Sequence, residues 1–172
     1  MRIYLVGYMG TGKSYLGKML SDRMGFPYFD TDIIIEDQQK KKISQIFSEE
    51  GEDAFRLYEK EAIRSFNTED AVVSCGGGLP CFHNNMDYMV EDGIVIWIKS
   101  SVQDIIKRVG KDTERPLLKM DDKELTSFVK KHLKSRKQHY SKSQVKVWNR
   151  GPAIATVNRM ITYLRYLDST RN

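Results

Sequence analysis

The apolar residues of this chain follow two rhythms. Arg2-Ile3-Tyr4-Leu5-Val6, Ala71-Val72-Val73-Ser74 and Gly93-Ile94-Val95-Ile96-Trp97-Ile98 are short apolar runs rich in β-branched and aromatic residues. Runs without a polar alternate predict strands buried on both faces. Pro27-Tyr28-Phe29-Asp30 and Val145-Lys146-Val147-Trp148 predict two further short strands. Between these runs the period lengthens. Leu16, Met19, Leu20 and Met24 predict a helix over about 13–24 that stops at Gly25, with Pro27 just beyond. A helical stretch over about 43–66, broken at Gly51, carries Phe55, Tyr58, Ala62, Ile63 and Phe66 on one face. Helices follow over about 101–109 and 121–139, the second opening on the capping-box pattern Asp121-x-x-Glu124. Pro152 introduces a last helix with Ile154, Val157, Ile161 and Leu164 expected on its buried face. Strands alternating with helices predict an α/β fold, a three-layer α/β/α arrangement with a parallel sheet and right-handed crossovers. Ligands in such sheets bind at the carboxyl ends of the strands.

Composition narrows the class. The chain has 172 residues, 40% of them hydrophobic and 30% charged, which suits one domain with a sizeable core. No segment approaches the ~20 apolar residues of a membrane span, and the first strand begins too early for a cleaved leader, so the expected location is cytoplasmic. The formal charge is +5, but the basic residues are dispersed, and Lys40-Lys41-Lys42 reads as a solvated helix end. Nucleic acid and membrane are therefore not expected partners. Cys75 and Cys81 are too few for a zinc site. Nothing marks a heptad seam, so a monomer is the default.

The candidate chemistry follows the strands. Gly7-Tyr8-Met9-Gly10-Thr11-Gly12-Lys13-Ser14 fits G-x-x-x-x-G-K-[ST], between the first strand and its helix. This is the phosphate-binding P-loop: its glycines let backbone N–H groups converge on an anion, and the helix N-terminus adds its positive end. Lys13 would reach the β- and γ-phosphates, and the Ser14 hydroxyl would hold Mg²⁺. Asp30-Thr31-Asp32 follows the second strand, where one carboxylate could support Mg²⁺ through water and the other accept a proton from an attacking hydroxyl. On a continuing strand they would share a face; the plainer alternative makes Asp32 the N-cap of a helix starting at Ile33. Phe55-Arg56-Leu57-Tyr58-Glu59 offers an arginine held by Glu59 and aimed at a substrate carboxylate. Gly76-Gly77-Gly78 follows the third strand where a backbone must approach a ligand closely. Arg108 and the stretch ending Arg115-Pro116-Leu117-Leu118 suggest an exposed lid over about 110–122 that carries an arginine to the phosphates. Arg136, among Lys130, Lys131, Lys134 and Lys137, reads on its own as a solvated charge.

In this order and spacing, GxxGxGKS, D-x-D, F-R-x-x-E, G-G-G, R-P-L-L and a late arginine resemble the shikimate kinase family, from the first strand to the last helix. The resemblance implies a P-loop kinase fold like that of nucleoside monophosphate kinases, with five parallel strands in order 2-3-1-4-5 and a substrate-binding region over about 32–60. It implies Mg²⁺-dependent transfer of the ATP γ-phosphoryl group to the 3-hydroxyl of shikimate, in aromatic amino-acid biosynthesis. Gly10, Thr11, Gly12, Lys13, Ser14 and Tyr15 would hold the ATP phosphates, with Ser14 and Asp30 serving the metal. Asp32 would bind the acceptor hydroxyls and act as base. Arg56 and Arg136 would clamp the carboxylate, Gly77 and Gly78 would line it, and Gly78 would donate its N–H. Arg115 would reach the phosphates, and Arg108 and Pro152 would sandwich the adenine. Tyr15 stands where many members carry Thr. The alternative is another small-molecule P-loop kinase, acting on gluconate or a nucleoside monophosphate.

Overall fold

Five parallel strands form one sheet in the computed structural model, which describes residues 1–109 and 121–169. β1 (Arg2–Val6) lies at the centre, paired with β3 (Ala71–Ser74) on one side and β4 (Ile94–Lys99) on the other. β2 (Tyr28–Asp30) extends the sheet beyond β3, and β5 (Val145–Trp148) beyond β4, which gives the expected order 2-3-1-4-5. The apolar run of β1 divides between two cores. Ile3 and Leu5 pack under α1 (Lys13–Met24) and α8 (Ala153–Ser169). Tyr4 and Val6 face α5 (Asn85–Asp92) and the end of α7 (Asp122–Tyr140). Side chains alternate across a strand, so a strand covered on both faces has no position left for a polar residue. At about 1.5–3 kcal/mol per fully buried aliphatic side chain, this double burial holds the central strands in place.

Two smaller cores carry the site. α2 (Thr31–Gln39), α3 (Ile43–Glu49) and α4 (Gly51–Arg64) pack together through Ile35, Ile46, Phe55 and Ala62. Tyr8 of the P-loop packs with Ile105 and Val109 of α6 (Val102–Val109) and with Leu125 and Val129 of α7.

Two expectations need correction, and one helix was not foreseen. β2 ends at Asp30, so Asp30 and Asp32 do not share a strand face; Asp30, not Asp32, caps the following helix, accepting from the Asp32 N–H at 3.1 Å. α5 was not expected: Asn84 and Asp87 are residue types that mark a helix start, but the N-cap Asn84 is left-handed (φ 55°) and makes no side-chain cap. Ile154 is 40% exposed. The buried stripe of α8 runs through Thr156, Val157, Met160 and Leu164, and Ile154 lies roughly 100° around the helix from its centre at ~100° per residue. The expected lid with Arg115 falls largely on 110–120, outside the described residues.

Candidate active site

The P-loop turns on three glycines with positive φ: Gly7 (143°), Gly10 (73°) and Gly12 (90°). A Cβ on Gly7 would lie 2.5 Å from the Ile98 carbonyl oxygen, so β4 also requires a glycine there. Gly12 is the N-cap of α1 and offers no side chain to its first N–H groups. The helix therefore opens with its positive end uncovered, as anion binding requires. Lys13 Nζ donates to the carbonyls of Gly7 (2.8 Å) and Tyr8 (3.0 Å). Its ammonium is thus held at the loop. Tyr15 points outward, 65% exposed.

Asn149 is a site residue that the sequence reading missed. It stands just after β5, and its amide N–H donates to the Thr11 carbonyl at 2.9 Å. A Cβ on Gly12 would lie 2.8 Å from the same amide nitrogen. β5 thereby fixes the loop from its far side. Its position just past a strand's carboxyl end was the available signal.

Ser14 Oγ donates to Asp30 Oδ2 at 2.8 Å, and the Tyr28 hydroxyl donates to the same oxygen at 3.1 Å. Burial pushes Tyr28 up to about 12, so it remains a donor. A hydroxyl that donates to Asp30 keeps lone pairs for a cation. Among the described residues no group of three or more His, Cys, Asp or Glu could hold a metal. This donor set fits Mg²⁺, which takes one or two protein groups and completes its shell with phosphate and water.

Across the cleft, the glycine loop explains itself by close approach. None of Gly76, Gly77 and Gly78 has a positive φ. A Cβ on Gly76 would fall 2.7 Å from Asp32 Oδ1 and 2.9 Å from Glu59 Oε1. A Cβ on Gly77 would lie 3.2 Å from the Met9 N, which brings this loop against the P-loop. A Cβ on Gly78 would strike the Arg56 guanidinium at 2.5 Å. Gly76 N–H donates to Thr31 Oγ1 (2.9 Å), and the Gly77 carbonyl accepts from the buried Tyr140 hydroxyl (2.5 Å). Tyr140 gave no sequence signal, because a lone tyrosine at a helix end looks like any core residue.

Arg136 also reaches the Gly77 carbonyl, at 3.3 Å, with its guanidinium 5.2 Å from the centre of the Tyr8 ring. It is turned toward the glycine loop and is not the solvated charge that its own helix suggests; the tertiary packing of α7 shows this, and no pattern within the helix does. Arg56 is buried, paired with Glu59 (Nη1–Oε2, 2.7 Å) and Glu52, and stacked 4.3 Å over Phe82. Burial pushes Glu59 up to about 7, against the pull of Arg56, with Asp32 adding to the rise. Arg56 and Arg136 line one open pocket of about 290 Å³, with Phe82 and His132 in its walls. Arg108 donates to the Gly10 carbonyl at 3.2 Å. Pro152 is exposed at the turn into α8.

One cleft thus joins a polyphosphate cradle, a hydroxyl–carboxylate pair beside it, and two arginines about a glycine loop. The family model for shikimate kinase matches residues 9–164. The chain belongs to the shikimate kinase family. The shikimate kinase of Persephonella marina is 40% identical over 165 residues, covering 95% of this chain and 98% of that protein. Among solved structures, the shikimate kinase of Bacteroides thetaiotaomicron superposes with a TM-score of 0.90 at 31% identity, over 96% of this chain and 98% of that one. The Acinetobacter baumannii shikimate kinase, solved in complex with shikimate, gives 0.88 at 28% identity, over 96% and 93%. The expected family, sheet order and enzyme class stand. Of the expected site residues, Arg115 alone lies outside the described residues.

Proposed function

We propose that this shikimate kinase transfers the γ-phosphoryl group of ATP to the 3-hydroxyl of shikimate by a direct, metal-assisted displacement in this cleft. The hydroxyl oxygen forms the new bond to phosphorus, the bond to the bridging oxygen of ADP breaks, and the hydroxyl proton passes to Asp32. The observation that carries this reading is the meeting of the glycine loop with the P-loop at Gly77 and Met9, with two arginines on the loop's acceptor side. A carboxylate gripped by Arg56 and Arg136 would fix one end of a small acid, and Asp32, which lies beside Gly76, would meet its hydroxyls.

Mg²⁺ bound at Ser14, with Asp30 behind it, would neutralise phosphate charge. The chain's own residues do the rest. Gly10, Thr11, Gly12 and Tyr15 present backbone N–H groups to the phosphates, and Lys13 leaves its two carbonyls for the transferring group. Gly78 donates its N–H to the acceptor, Gly77 shapes the floor, and Arg115 adds a cation over the phosphates. Arg108 and Pro152 flank the adenine. The kinase works as a single-domain, cytoplasmic monomer on small molecules, with 32–60 as its acceptor region and 110–122 as its lid.

The two arginines of the acceptor and donor sides separate kinetically. Arg56→Ala should raise the KM for shikimate about 10- to 100-fold, the scale of a lost charge-assisted hydrogen bond, and leave the KM for ATP nearly unchanged. Arg115→Ala should lower kcat about 10²-fold with little change in KM, because its contact is made in the transition state. Steady-state kinetics with each substrate varied in turn decides this. Equal effects of both substitutions on both substrates would refute the division.

A further inference from the structure

Arg56 is poorly placed to receive a substrate carboxylate as it stands. Its guanidinium has two edges that can grip a carboxylate with paired hydrogen bonds. The end formed by Nη1 and Nη2 is crowded: a Cβ on Gly78 would lie 2.5 Å from Nη1 and 2.9 Å from Nη2, and Nη1 is already bound to Glu59. The remaining edge, Nε and Nη2, is occupied. Glu52 Oε1 accepts from Nε at 3.1 Å and from Nη2 at 2.7 Å. Glu52 lines the same pocket as Arg56 and Arg136.

The two acidic partners of Arg56 differ in kind. The Glu59 side chain is 1% exposed and sits in the interior. The Glu52 side chain is 57% exposed, in the first turn of α4, and can swing into water. A buried partner fixes the guanidinium, whereas an exposed one holds it weakly, since exposed ion pairs contribute little. An incoming carboxylate and Glu52 cannot share one edge of one guanidinium without close contact of like charges.

We infer that Glu52 is an internal stand-in for the substrate carboxylate: it occupies the receiving edge of Arg56 and must be displaced when an anionic acceptor binds. It balances the charge of Arg56 between turnovers while buried Glu59 keeps the guanidinium oriented, and it sets a threshold that a neutral analogue of the acceptor would not overcome. This inference rests on the reading of Arg56 as a carboxylate receptor.

The test is the KM for shikimate in four variants. Glu52→Gln and Glu52→Ala should each lower it about two- to fivefold, the scale on which an exposed ion pair competes, with the KM for ATP unchanged. Glu61→Gln removes the same charge from an exposed position of the same helix and should leave the KM for shikimate unchanged. In an Arg56→Ala background the effect of Glu52→Gln should vanish. A KM that rises in Glu52→Gln makes Glu52 a positioning residue and overturns the inference. An equal fall in Glu61→Gln overturns it too, since bulk charge would then account for the effect. If Arg56→Ala itself leaves the KM for shikimate unmoved, the carboxylate reading of Arg56 fails, and the inference with it.

Discussion

Replacing Lys13 by methionine is expected to lower kcat by about 10³ while the protein remains folded. Methionine keeps an unbranched apolar stem, so the packing of the P-loop changes little and the ammonium alone is lost. That ammonium is buried with the loop and already poised on two carbonyls. Removing one preorganised charge-stabilising donor from a water-poor site costs about 10²–10³ in rate. Lys13 should lie at the top of that range, because in the proposed transfer its charge would meet the transferring group directly. ATP binding should weaken by much less, since the loop N–H groups and the helix end remain. Single-turnover measurement of phosphoryl transfer, with ATP affinity measured separately, checks this. A parallel loss of ATP affinity and rate would make Lys13 a binding residue only.

Asp32→Asn is expected to have a comparable effect for a different reason. The substitution preserves size and removes both charge and proton affinity. Asp32 lies beside Gly76 and close to buried Glu59, whose raised affinity for protons reflects burial first and the Asp32 charge as well. General-base catalysis contributes about 10²–10⁴, so kcat should fall about 10³-fold with ATP affinity preserved. Unchanged turnover would exclude Asp32 as base and as an essential hydroxyl acceptor.

The sheet and the P-loop were legible from local pattern because their causes are local. A strand buried on both faces must be continuously apolar, and a loop that curls about an anion must place glycines at fixed offsets. Helix ends with a chemical signal, such as the Asp121–Glu124 box and Gly25, were legible for the same reason. α5 was not, because it is only eight residues long and too short to show a clear helical period, although Asn84 and Asp87 are start-type residues. Ile154 misled because an apolar residue at helical spacing need not lie on the buried stripe. In the cleft, Asp30, Asp32, Arg56 and the three glycines follow strands or carry motif spacing. Arg136, Tyr140 and Asn149 act through contacts with residues 59, 63 and 138 positions away in the chain. No local pattern encodes such contacts. Glu52 lay one helical turn before Arg56, a spacing that usually marks only a surface pair.

One assay decides the activity: ADP release coupled to a spectroscopic readout, with shikimate, gluconate and the nucleoside monophosphates offered in turn, with Mg²⁺ and with the metal chelated. The geometry predicts Mg²⁺-dependent turnover stimulated by shikimate alone among these acceptors. Turnover on gluconate or a nucleotide without stimulation by shikimate would contradict it.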